Sequence, residues 1–436
     1  MRLDTRVVPE TLQDDDTLLS STARRPAQRR RRRRRWVAVA LVVAVVAAVV
    51  GGVRLADDVQ RAVARVAADE PMVASGKSVL ADLWRDYRET YLESGTGRTL
   101  DLQDGAVTTS QGQSYTMLRA VWMDDQETFA QSWQWTKDNL QRDDALLANR
   151  FGELADGTYG IQQDLGGAVS ATDADVDVAL ALLMAYSRWQ QDDYLYDALP
   201  IVDAVWEQSV VRVDGAPVLV ADDLQRNGGD QVLVNPSSLA PYAYRVFAAV
   251  DPDRDWAGLV DSSYALLGRL TGDPLGAGAT VGLPPDWVHV DRSTGELSAV
   301  AGDLSTRYST DALRVSWRLA LDHAWYGDER ALRLLEGQSF LADTYLEQGR
   351  LVAAYHRDGT PAADSEAPAV YGGAMGYFDT VRPDLADEVY TDELLPLYDL
   401  DTGDLDEQLT YYDSNWVWFG MALHLDELPN LNVSEE

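Results

Sequence analysis

Twelve stretches of this chain carry apolar residues at three- and four-residue steps, the spacing that gives a helix one buried face. They are predicted at 78–93, 114–122, 126–139, 173–189, 192–211, 241–249, 256–269, 311–325, 329–348, 371–382, 384–398 and 411–425. Loops rich in Gly, Asp and Pro join them. Strand-like runs are few; 210–213 and 217–220 around Asp214-Gly215 read as a hairpin on a loop. Helices in such number, without strands alternating between them, predict an all-α domain of paired helices rather than a parallel sheet with crossovers. No internal sequence repeat is visible.

The most informative of these segments is Ala171-Thr172-Asp173-Ala174-Asp175-Val176-Asp177-Val178-Ala179, running on to Trp189, which sets three carboxylates at the start of an apolar helix. Thr172 and Asp175 have the spacing of an N-cap pair. Acidic side chains in a first turn are favoured by about 0.3–1 kcal/mol through the helix dipole. Helix capping is therefore one complete account of these aspartates, and chemistry is the other.

Composition narrows the chemistry. The chain has 436 residues and no cysteine, which excludes disulfides, thiol catalysis and thiolate metal sites. Its four histidines, at 289, 323, 356 and 424, form no metal-ligand spacing, so neither a metal nor another cofactor is expected. Thirteen tryptophans and twenty tyrosines suit a protein that stacks on flat ligands, although most aromatics in any domain are core.

Trp36 to Val53 are uncharged and mostly apolar, and they follow Arg24, Arg25 and the unbroken run Arg29 to Arg35. This predicts a single membrane anchor over 29–56 with the arginines cytoplasmic, after a disordered tail at 1–28 and before a linker at 57–73. A cleaved signal peptide is the rival, and would make the protein secreted. The domain at 74–436 would lie outside the cytoplasm in either case. Beyond residue 56 the chain holds 25 basic against 66 acidic residues, a net charge near −41. That opposes binding to nucleic acid and fits a neutral or cationic substrate.

The 171–189 segment resembles the signature of glycoside hydrolase family 8, Ala-Ser/Thr-Asp-Ala/Gly-Asp before an apolar helix ending in an aromatic, departing from it only at Val178. Thr109-Ser110-Gln111-Gly112-Gln113-Ser114-Tyr115, Asn235-Pro236-Ser237, Pro284-Pro285-Asp286-Trp287 and Tyr308-Ser309-Thr310-Asp311-Ala312-Leu313-Arg314 continue the likeness in the family's order, over roughly 74–425. The resemblance implies an (α/α)6 toroid of six helical hairpins, with a cleft where the inner helices begin. It implies inverting hydrolysis of a β-1,4-linked polysaccharide of the endoglucanase type. In that reaction one carboxyl protonates the leaving oxygen, while the other activates water roughly 6.5–9.5 Å away. By the same resemblance Asp311 is the base and Asp173 contacts and distorts the sugar. Tyr115 and Tyr308 line the cleft, and Arg314 pairs with Asp311 or reaches a sugar hydroxyl. Trp122, Trp133, Trp135, Trp287 and Trp317 are candidate stacking residues, each with core packing as the alternative.

The departure that matters is Gln111, which stands where the family carries its general-acid Glu. An amide keeps the size and hydrogen bonds of Glu but has no proton to give, and general-acid help is typically worth about 10²–10⁴-fold. Impaired activity is expected unless a neighbour such as Asp104 or Glu153 supplies the proton, or the leaving group needs none. A non-catalytic glycan-binding factor for exopolysaccharide synthesis or export is the alternative. A structural toroid whose cleft takes a peptide or lipid is the third reading.

Overall fold

The computed structural model describes residues 76–432, apart from 303, 400, 401 and 406–408. The tail, anchor and linker expected at 1–73 lie outside the described residues. Within them, no helix is long and apolar enough to cross a membrane.

Six helices form an inner ring: α2 (Ser110–Trp122), α4 (Thr172–Trp189), α6 (Pro241–Val250), α8 (Leu313–Tyr326), α11 (Pro368–Val381) and α13 (Tyr411–His424). Each packs on the next. The ring closes where Tyr115 of α2 meets Trp416 and Phe419 of α13 edge-on and Arg119 reaches Asn415 at 3.3 Å. The outer layer is α1 (Gly76–Tyr91), α3 (Gln126–Asn139), α5 (Asp192–Ala204), α7 (Trp256–Gly272), the pair α9 (Glu329–Glu336) and α10 (Phe340–Gln348), and α12 (Pro383–Val389). Because outer and inner helices alternate along the chain, every inner helix runs the same way. All their N-termini therefore share one end.

Burial follows from this arrangement. An inner helix has neighbours on every side and must be buried all round. In α4 every residue from Thr172 to Ala185 is buried, and in α2 all are except Gln111. The outer helices are amphipathic; α9 buries only Ala331 and Leu335. Side-chain caps start several helices, including Thr109 on Gly112 N–H of α2 (3.0 Å) and Thr410 on Asp413 N–H of α13 (3.0 Å), each worth about 1 kcal/mol.

Small strands decorate the end where the inner helices begin. They are β1 (Thr108–Thr109), β2 (Arg150–Glu153) and β3 (Tyr159–Ile161) in one sheet, the hairpin β4 (Val210–Val213) and β5 (Ala216–Leu219), and β6 (Gln231–Val234), β7 (Val288–Asp291) and β8 (Leu297–Ser298) in another. The hairpin expected around Asp214-Gly215 is present, with both turn residues at positive φ.

Three expected helices end differently. The stretch predicted at 384–398 is α-helical only to Val389, and continues as a π-turn, Tyr390–Leu394, and a 3-10 turn, Leu395–Leu397. The stretch predicted at 192–211 is helical only to Ala204; a π-turn, Val205–Ser209, then leads into the β-branched strand β4. The stretch predicted at 329–348 breaks at Gly337, where Gln338 turns inward, fully buried, to accept from Ser316 Oγ at 2.6 Å. Gly is a weak helix former, and the buried hydrogen bond outweighs helix continuity.

Glycines set the spacing of α8, α11 and α13. A Cβ on Gly372 would overlap the Trp416 carbonyl, and one on Gly376 the Ser316 carbonyl. Gly376→Ala should therefore cost about 1–3 kcal/mol or more, since backbone cannot step aside as a side-chain tip can. Gly272→Ala, at the end of α7 with open space around it, should be neutral or stabilising by up to about 1 kcal/mol. Urea unfolding of the two variants checks the contrast.

Candidate active site

Three inner helices bring their first turns together. Gln111 sits in the first turn of α2 behind the Thr109 cap, and Asp173 in the first turn of α4. Asp311 stands in the turn that leads into α8. Gln111 Nε2 donates to Asp173 Oδ2 at 2.7 Å, and Arg314 Nη1 donates to the same oxygen at 2.5 Å. The other Arg314 nitrogen, Nη2, donates to Asp311 Oδ1. Donors 62 and 141 positions away in the chain thus meet on one Asp173 oxygen, and the Arg314 guanidinium links it to Asp311.

The electrostatics separate the carboxylates into roles. Burial pushes Asp173 toward neutrality, but the charges of Arg314 and Arg318 and the hydrogen bonds from Gln111 and Arg314 outweigh it, holding the carboxyl below its ordinary range. Asp311 is the more open of the pair, its side chain 25% exposed against 10% for Asp173. Its Oδ2 accepts from Trp287 Nε1 at 2.9 Å. Both Asp311 oxygens are therefore oriented by donors while the group keeps access to solvent. That suits a carboxylate acting on a water molecule.

Arg314, at 1% side-chain exposure, is spent on the two aspartates and positions them; it does not reach into a groove. Tyr115 and Tyr308 are also buried, at 2% and 1% exposure. This corrects the expectation that they line the cleft. Tyr115 packs edge-on against Trp416 and Phe419, and Tyr308 pairs its backbone with Tyr355. Both phenols are held beneath the site because the segments carrying them turn inward into the ring. Trp122, Trp133 and Trp317 are core, whereas Trp135 and Trp287 are half-buried.

The capping account of Thr172 and Asp175 is also corrected. Ala171 is the N-cap of α4 and makes no side-chain cap bond. Asp175 instead accepts from Leu147 N–H at 2.8 Å, fully buried, and burial raises its pKa well above the ordinary value. Asp177 pairs with Arg318 through two bonds of 2.8 Å, and Arg318 also donates to Tyr242 OH at 2.6 Å. Asn235 caps the short turn Pro236–Ser238, accepting from Ser237 N–H and Oγ. Of the two neighbours considered as replacement acids, Asp104 is tied to Arg150 at 2.6 Å and Glu153 is exposed on β2. Neither has a hydrogen bond or ion pair with Gln111 or Asp173 among the described residues.

Two site residues escaped sequence reasoning. Asp286, 2% exposed, accepts from the N–H groups of Ser309 (3.0 Å), Asp311 (3.2 Å) and Ala312 (2.8 Å) and from the Ser309 hydroxyl, so it fixes the turn that presents Asp311. Its place beside Trp287 in the Pro-Pro-Asp-Trp run was the only signal. Tyr412 donates to the Thr310 carbonyl from α13 and had none.

Burial, then the charge of Asp311, push Asp286 up to about 6. A folded pKa above the unfolded 3.8 means the native state holds the proton longer. This contribution to stability is complete below pH 3.8 and is lost as pH rises to about 6. Wild type should lose unfolding free energy across that window more steeply than Asp286→Asn, as read by urea unfolding at several pH values.

Comparison with known proteins bears on the family and the fold. Residues 62–348, more than half of the chain, match the family described as Glycosyl hydrolases family 8. A probable endoglucanase of Novacetimonas hansenii is 32% identical over 238 residues, 54% of this chain and 65% of that protein. Endoglucanase A of Acetivibrio thermocellus is 29% identical over 290 residues, 63% of this chain and 57% of its own length. The chain thus spans less than two thirds of these curated relatives. Among solved structures, an endo-1,4-D-glucanase from Vibrio fischeri ES114 superposes with a TM-score of 0.65 at 21% identity, covering 78% of this chain and 93% of that one. A cold-adapted family 8 xylanase gives 0.67 at 16% identity, covering 82% and 92%. These two likenesses concern the fold, and the sequence match carries the kinship: the chain belongs to glycosyl hydrolases family 8.

Proposed function

We propose that the domain binds a β-1,4-linked glucan or a related polysaccharide where Gln111, Asp173 and Asp311 meet, and acts on it as an inverting, endoglucanase-type glycosidase with its acid-assisted step weakened. The observation that carries this reading is the Arg314 bridge, which holds Asp173 and Asp311 in one site with Gln111 on the same Asp173 oxygen. Asp311 serves as base, taking a proton from water as that water attacks the anomeric carbon and the glycosidic C–O bond breaks, the departing oxygen taking its proton from solvent. Asp173 accepts a sugar hydroxyl and orients the ring. Gln111 occupies the acid's place and donates a hydrogen bond, but transfers no proton. The relatives named as endoglucanases support the substrate class.

The Gln111 amide also favours a second reading, a glycan-binding accessory factor for exopolysaccharide synthesis or export. In either reading the basic run and apolar stretch at 29–56 anchor the domain outside the cytoplasm, with secretion as the alternative if that stretch is cleaved. Titration with cellohexaose, followed by tryptophan fluorescence and by product analysis, separates them. Saturable binding with slow release of products that Asp311→Asn abolishes supports the glycosidase. Binding without any hydrolysis supports the accessory factor, and absence of binding defeats both.

A further inference from the structure

A cavity of about 390 Å³ lies apart from the Asp173–Asp311 pair, lined among others by Trp206, Glu207, Arg212, Arg226, Asn227 and Arg292. It is built from the π-turn after α5, strand β4, the short helical turn Asp223–Asn227 and the turn after β7. Thr172 N–H donates to the Ala221 carbonyl, and Ser170 N–H to Asp223. The segment that leads into this wall is therefore hydrogen-bonded to the start of α4, so the cavity lies toward the end of the domain that carries Asp173.

Its charge runs against the rest of the domain. Three guanidiniums face one carboxylate, in a protein whose net charge is −34. That carboxylate, Glu207, is already met by Arg254 at 3.2 Å as well as by Arg226 at 3.7 Å. Among the described residues the guanidiniums are far from saturated, since each has five N–H donors. Arg212 gives one hydrogen bond, to the Gly215 carbonyl. Arg226 gives one to Val210 O besides its pair with Glu207. Arg292 uses one nitrogen on the carbonyls of Gln225 and Arg226, and its buried Nε has no hydrogen-bond partner among the described residues. Trp206, half-buried, is held edge-on against Trp256 at 4.9 Å.

We infer that this cavity binds an acidic sugar unit, its carboxylate taken by the Arg212, Arg226 and Arg292 guanidiniums and its ring set against Trp206. The fork of N–H donors on Arg matches a carboxylate in a bidentate way, and an indole offers a flat apolar face to a sugar ring. The remaining charge of the domain repels polyanions beyond the reach of these contacts, with a screening length of about 10 Å at 0.1 M salt. The fitting ligand is therefore a chain with sparse acidic units rather than a polyuronate. The sugar part of this inference rests on the glycan reading of the groove; the anion part does not.

Cellobiouronic acid, glucuronic acid joined to glucose, tests it by calorimetric titration of the whole chain alongside cellobiose, inorganic phosphate and cellohexaose. Cellobiouronic acid should bind at least roughly tenfold more tightly than cellobiose or phosphate. Arg212→Gln with Arg226→Gln should weaken it by roughly tenfold per guanidinium removed, leaving cellohexaose binding and the melting temperature unchanged. Undiminished binding of cellobiouronic acid to the double variant overturns the site, and equal binding of phosphate overturns the sugar. Loss of cellohexaose binding in the wild type, with the arginine-dependent binding intact, defeats the groove reading alone.

Discussion

Gln111→Glu should raise turnover on cello-oligosaccharides by about 10²–10⁴-fold, the usual worth of a placed general acid. The amide at 111 already lies 2.7 Å from Asp173 Oδ2, and that oxygen is held ionised by Arg314. A carboxyl put in its place faces a carboxylate, so it keeps its proton to higher pH than an ordinary Glu near 4.3. The gained activity should therefore persist above that value and fall as the new group ionises. Adding Asp311→Asn should return turnover to background. A Gln111→Glu variant that binds cellohexaose but hydrolyses it no faster than wild type would show that position 111 is not where the proton is needed.

The largest stability loss is expected at Asp177→Ala. The Asp177–Arg318 pair is 4% and 3% exposed and doubly hydrogen-bonded. Removing the carboxylate leaves Arg318 charged inside the ring with Tyr242 OH as its one remaining hydrogen-bond partner among the described residues, at a cost of about 3–5 kcal/mol. Replacing both members with apolar residues, Asp177→Leu with Arg318→Met, should cost far less, because no uncompensated charge remains. Urea unfolding of the singles and the double measures their coupling. A single-variant cost below about 1 kcal/mol would mean that water reaches the pair.

Much of the fold was legible because the outer helices carry one apolar face and the inner helices carry long, largely apolar runs. The helix at 126–139 matches the expected bounds at both ends, and those at 173–189 and 411–425 are within a residue. Boundaries failed where a local preference yielded to a long-range contact. The α9–α10 break follows the turn of Gln338 toward Ser316, which no window of the sequence contains. The start of α2 was placed four residues late because Ser110, Gln111, Gly112 and Gln113 are polar, yet all but Gln111 are buried. At the site, the residue types announced themselves in motifs, and the three named residues do meet. What could not be read was which partner each side chain takes. Arg314 belongs to two aspartates, Tyr115 and Tyr308 to the interior, and Asp286 to the backbone of a distant turn.

The glycine faces of α11 have a consequence for recognition. Gly373 and Gly376 let α11 lie with its backbone against the Leu313 and Ser316 carbonyls of α8, the helix whose leading turn bears Asp311 and Arg314. Close-packed main chains have no side-chain slack to take up a displacement. Asp311, the base of the proposed reaction, is thus seated before any ligand arrives, and its orientation requires no reorganisation during encounter. What a bound chain must still lose is its own torsional freedom.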